Sequence, residues 1–220
     1  MQTSKHKGRR RAIIAGGALL GVAALTTAAG LTDSAYLNLG GAGGAGGGFA
    51  TESNFNIVVV DTNADHTPKF TTFAAANAAN GWQEASDPAG VPIAIVGSDR
   101  LIPGDAAKSV DIPFKNDDDS VAAYFDLSLV DRAASGADTT LRDKLRFTVS
   151  LNGSVMSGLS NVSYTAVSSK SLGAIINPGT GGVIRIAVTL PDQGTEAANN
   201  ALAGLTANIQ AKLHANTDEP

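Results

Sequence analysis

Cysteine is missing from all 220 residues. That excludes a disulfide framework, a thiolate zinc site, a cysteine nucleophile and a lipid-modified N-terminal cysteine. It leaves the compartment open, because exported bacterial chains without disulfides are common. Aromatic residues make up 5% of the chain against a hydrophobic share of 43%, so the core has to be built from Val, Ile, Leu and Ala. Histidine occurs only at His6, His66 and His214. Hydrolytic zinc sites commonly draw two or three histidines, and no His-Glu-x-x-His motif is present. Acidic residues are absent before Gly30, and no apolar run reaches the ~20 residues that a membrane-spanning helix needs.

The N-terminus is instead short, polar and basic, with Lys5, Lys7, Arg9, Arg10 and Arg11. Ala12 to Leu25 then runs without a charge and ends in the small residues Thr26–Thr27–Ala28–Ala29. This is the layout of a secretory signal peptide over residues 1–29, with Thr27-x-Ala29 as the small-x-small cleavage site between Ala29 and Gly30. The formal charge is −4. Loss of the five leader cations leaves −9 on the mature chain, which phosphate backbones repel, so nucleic acid is not an expected partner. Contact with the membrane is expected only during export, signal peptidase being the partner at that step. The expected location is secreted, extracellular or cell-surface.

Beyond the leader, residues 30–48 read as a mature N-terminal segment ending in a glycine tether. Gly40 to Gly48 is GGAGGAGGG, a run that behaves as flexible chain and lacks the following Gly-Lys-Ser/Thr of a phosphate loop. A globular domain is expected over 49–216, with a polar tail at 217–220. Within it, period-two alternation recurs at 55–61, 108–114, 121–130, 145–151, at Val162, Tyr164 and Ala166, and at 184–190. One apolar and one polar face per strand is the signature of antiparallel sheets. Asn152–Gly153 marks a hairpin, and Pro103–Gly104 and Pro178–Gly179 mark further turns. Residues 72–80 and 139–144 can each form a short helix. Residues 201–215 fit helical and strand spacing equally well. The expected fold is an all-β antiparallel sandwich with one or two short helices.

The densest acidic run is Asn116–Asp117–Asp118–Asp119. Carboxylate and amide oxygens on a turn can bind calcium, yet the run lacks EF-hand spacing, and Asn and Asp favour hairpin turns for their own backbone bonding. The expectation is a solvated turn, with these four residues as weak calcium candidates. No catalytic residue, cofactor or other metal ligand is expected. Asn152 and Asn161 open glycosylation-type triplets and are read as ordinary turn and strand residues. Trp82, the only tryptophan, is read as a packing residue rather than a sugar platform.

Three stretches carry a resemblance. Ala28 to Gly40 is AAGLTDSAYLNLG, Leu101 to Leu129 is LIPGDAAKSVDIPFKNDDDSVAAYFDLSL, and Leu190 to Ala215 is LPDQGTEAANNALAGLTANIQAKLHA. In order and spacing they resemble the TasA/camelysin group of bacterial exported matrix proteins, whose leaders are of an alternate type. Leu31 stands where that group has an aromatic, the tether is longer, and 61–100 has no counterpart. The resemblance implies a jelly-roll-like sandwich, a strand for the ambiguous C-terminal segment, and a structural protein of the extracellular or biofilm matrix.

The expected function is therefore a matrix or fibre subunit, partnered by itself or by other matrix proteins rather than acting as an enzyme. Leu31 to Leu39, with Leu31, Tyr36, Leu37 and Leu39, is the candidate donor strand that adds to a neighbour's sheet. On this reading the domain folds without it. The alternatives are a camelysin-like secreted metallopeptidase and a monomeric surface adhesin or glycan-binding module.

Overall fold

In a computed structural model the chain is described over residues 32–39, 56–131 and 139–216. The leader, the Ala29–Gly30 junction, Leu31, the glycine run, Phe49 and the tail lie outside the described residues.

Two sheets form. The first has the strand order β4 (Val91–Ile93), β1 (Thr32–Leu39), β11 (Ile209–Asn216), β6 (Ala123–Asp131) and β9 (Lys170–Ile176). The second has the order β3 (Trp82–Glu84), β2 (Ile57–Val60), β5 (Lys108–Asn116), β10 (Gly181–Thr189), β7 (Arg146–Leu151) and β8 (Ser154–Val155). Every pairing is antiparallel except β4 with β1, which is parallel. The short helices are α1 (Phe73–Ala78), α2 (Thr139–Lys144) and α3 (Glu196–Asn200). The chain is thus an all-β, two-sheet protein with a sandwich core.

Alternation explains the layering. In β10, Ile184, Ile186 and Val188 are buried while Arg185 is exposed. Ile184 lies opposite Ile112, and Ile186 is flanked by Val110 on one side and Val149 on the other. In β6, Ala123, Phe125, Leu127 and Leu129 are buried, with Leu127 beside Leu213 of β11. Phe114 of the second sheet and Phe125 of the first bring their ring centroids to 5.5 Å. The aliphatic core expected from the composition is what fills the space between the sheets. Asn152 and Gly153 take φ of 49° and 85°, the paired positive angles of a two-residue hairpin turn, and join β7 to β8.

Several features differ from the sequence reading. Thr32–Leu39 lies inside the compact unit, which begins at Thr32 and not at Phe49; eight backbone positions of β1 pair with β11. Val162 bridges to Phe147 as an isolated pair, while Tyr164–Ala166 is a 3-10 turn rather than strand. Asn161 at φ 54° turns the chain away before a ladder can extend. Residues 201–215 resolve into the end of the α3 turn and strand β11, whose pattern alternates from Ala211 onward. Strands β3, β4 and β9 were not expected.

The two ends of the sandwich are unlike. β1 starts at Thr32, beside Asn216, at the same end as Tyr124, Ile57 and Asn116. It finishes at Leu39, beside Ile209 and Ile93. This is the end where Phe147 and Val188 pair and where an open cleft lies. The chain leaves β1 at the cleft end and re-enters at Asn56 at the opposite end, with residues 40–55 between.

Candidate functional site

The position of β1 is the most unusual feature of the fold. It occupies an inner place in the first sheet, antiparallel to β11 over Thr32–Leu39 and parallel to β4 over Leu37–Leu39. Among the described residues β4 has no other neighbour in that sheet. Of its described side chains, Ala35 is wholly buried opposite Leu213, and Ser34 Oγ makes a 2.8 Å hydrogen bond with His214 Nδ1. The donor-strand candidates Tyr36, Leu37 and Leu39 pair in backbone register with Lys212, Ala211 and Ile209. β4 is tied down independently, since the buried Gln210 donates from Nε2 to the carbonyl of Pro88 at 3.1 Å. The seam between β1 and β11 is main-chain pairing over eight positions, and the buried Ala35 and the Ser34–His214 contact add to it.

The remaining edges of the sheets are blunted. β4 is three residues long and carries Pro92, which has no N–H to donate. β3 and β8 are three and two residues long. β9 is longer, but its register with β6 breaks between Tyr124 and Asp126, and Gly173 sits at φ 81°. Short edges, proline and bulges are the devices by which sheets resist edge-to-edge addition.

The acidic turn places its four residues in different roles. Asn116 is fully buried; its Nδ2 donates to the carbonyls of Val121 at 2.8 Å and Ile176 at 3.1 Å, and its Oδ1 accepts from the Asp118 amide at 3.2 Å. Asp117 pairs with Lys115 Nζ at 2.5 Å. Asp118 Oδ1 accepts from the amides of Ser120 and Val121 at 2.7 and 2.6 Å, while Asp119 is exposed. These contacts point the side chains into their own loop or apart. Among the described residues no three His, Cys, Asp or Glu side chains gather to hold a metal ion. His66 is half-buried on a left-handed backbone at φ 63° and lies far in sequence from His214, which is engaged with β1. Trp82 packs against Phe73 at 5.5 Å and against the core.

A cleft of about 410 Å³ opens between the sheets at the end where β1 finishes. Ile95, Leu101, Leu141, Phe147, Val188 and Ile209 supply its apolar walls. Val96 and Ile102, next in sequence to two wall residues, are 71% and 59% exposed. No local pattern in the sequence points to this cleft, because its walls come from β7, β10, β11, α2 and a loop. The Ser34–His214 contact was hidden for the same reason: 180 residues separate its partners.

No family model matches the chain, and no curated protein or solved structure matches it.

Proposed function

We propose that the chain is a secreted structural subunit of an extracellular matrix, in the manner of the TasA/camelysin group it resembles, with a jelly-roll-like sandwich that assembles into fibres by exchange of β1. The observation that carries this reading is the inner position of β1, a strand joined to the rest of the domain only through residues 40–55. Within one copy, β1 fills its own slot between β4 and β11. The same main-chain ladder forms equally well with β1 of a second copy, because the pairing partners are identical. The glycine-rich composition of 40–48 lets the strand reach another molecule at little strain. Blunted edges elsewhere disfavour other modes of strand addition.

On this reading the domain depends on the segment, because removing β1 strips β4 of its one sheet neighbour among the described strands. The test is complementation. A chain beginning at residue 40 should be unstable alone and regain a cooperative melt when a synthetic peptide of residues 30–39 is added. Excess peptide should also halt fibre growth of the chain beginning at Gly30, followed by electron microscopy. A chain from Gly30 that stays monomeric at high concentration, or fibres indifferent to the peptide, would defeat the proposal.

A further inference from the structure

We infer that Ser34, His214 and Asp126 form a nucleophilic site on the outer face of the first sheet, with Ser34 as acyl acceptor, His214 as its base and Asp126 as the residue that orients the base. The register lays the three side by side in one row. Ser34 of β1 stands opposite His214 of β11, and His214 stands opposite Asp126 of β6. Successive residues of a strand point to opposite faces. Ala35, Leu213 and Phe125, next in sequence to the three, are buried in the core, so the row itself faces away from it. All three residues of the row are half-buried and within reach of solvent.

A serine hydroxyl is a weak nucleophile until a base takes its proton. Ser34 Oγ lies 2.8 Å from Nδ1 of His214, a distance at which that transfer is direct. In the tautomer with its proton on Nε2, the imidazole leaves Nδ1 able to accept. The two nitrogens lie on different edges of the ring, so a ring whose Nδ1 meets β1 can offer its Nε2–H to a group on β6. Paired cross-strand residues have Cβ atoms about 4.5–5.5 Å apart, which brings the Asp126 carboxylate within reach of that N–H. No hydrogen bond joins the two here, and catalytic contacts of this kind tighten when substrate is bound. Lys212 sits two positions before His214 on the same face of β11, a cation near the oxygen on which charge develops. A sheet face encloses little of a ligand, so the substrate class is a small activated carboxylic ester, selected by reactivity. Attack forms the bond from Oγ to the acyl carbon as the bond to the leaving alcohol breaks, and the Oγ proton passes through Nδ1 to the departing oxygen. Water then adds to the acyl carbon, giving a proton to Nδ1, and the carboxylic acid leaves as that proton returns to Oγ. The inference needs β1 only in its slot and stands apart from fibre assembly.

The absence of cysteine makes the site directly readable in the full-length chain. Ser34→Cys then carries a single thiol. Iodoacetamide should alkylate it severalfold faster in the folded protein than in urea, because the adjacent imidazole draws off the thiol proton. A fluorophosphonate probe should label the parent at Ser34, read by peptide mass. Hydrolysis of p-nitrophenyl acetate should be lost in Ser34→Ala and should fall about 10²-fold or more in His214→Gln. Asp126→Asn should lower kcat severalfold with KM and melting temperature unchanged, and Asp126→Glu should restore part of the rate. A folded thiol no faster than the unfolded one, no probe adduct on Ser34, or hydrolysis that survives Ser34→Ala would overturn the site. A rate loss in Asp126→Asn that only follows a lowered melting temperature would overturn the orienting role of Asp126.

Discussion

Asn116 holds together three pieces of chain that meet at one end of the sandwich. Its amide reaches the carbonyls of Val121 and Ile176, its Oδ1 takes the Asp118 amide, and its own backbone N–H donates to Thr180 at 2.9 Å. Replacing it with alanine leaves buried carbonyls without donors, at about 1–3 kcal/mol for each unsatisfied group. We expect Asn116→Ala to lower unfolding free energy by about 2–3 kcal/mol, measured by urea denaturation, and added calcium to change neither protein's midpoint. At the surface, Asp61 sits below its ordinary carboxyl range of 3.8 because Lys69 donates to it, with the Thr62 amide adding to the effect. A carboxylate depressed in the folded state contributes stability above its ordinary range and loses it as pH falls through the depressed value. The side chains of Asp61 and Lys69 are 36% and 43% exposed, so screening keeps the pair within about 0.2–1 kcal/mol. Asp61→Asn should therefore melt below the parent at about pH 6 and converge with it near about pH 2 in thermal scans.

At the scale of elements, strands that alternate over six or more residues were readable from sequence, because one face must be apolar and the other polar wherever the sheet has water on one side. Leu145–Leu151 and Ile184–Leu190 are of this kind; the short helix α2 at 139–144 is legible too, on other grounds. What was not readable depends on partners distant in sequence. Residues 209–216 are strand because β1 and β6 lie on either side; their spacing alone served helix and strand alike. Val162 to Ala166 alternates just as well, yet it finds a partner only at Phe147 and stays a turn. β9 escaped notice because the bulge near Gly173 breaks its period. β1 was recognised as a strand able to join a sheet, but its place within its own domain was obscured by the glycine run that follows. That run separates it in sequence from every strand it touches. Of the residues named for function, the acidic turn became a structural staple, and the cleft was invisible until distant elements were brought together.

At the scale of the whole molecule, the described chain begins and ends in adjacent strands, and Thr32 pairs with Asn216. A short turn linking residue 216 to residue 32, with new ends opened inside 40–55, would convert β1 and β11 into a hairpin. The same ladder would persist, but β1 could no longer leave without its covalent neighbour. We expect this permutant to fold, to melt above the parent because a long closure becomes a short one, and to remain monomeric by light scattering where the chain from Gly30 assembles. Fibres from the permutant would mean that the β1 seam is not the route of growth.

The first sheet also sets a timetable. Among the described strands β1 comes first and β11 after all the others, and within its sheet β1 has the three residues of β4 for company until β11 exists. Such distant pairing is slow to form, so a nascent chain carries an unsatisfied first strand until β11 has been made. A threading machine would meet a polypeptide whose central seam has not yet zipped, and the seam's closure would wait for residues 209–216 to arrive.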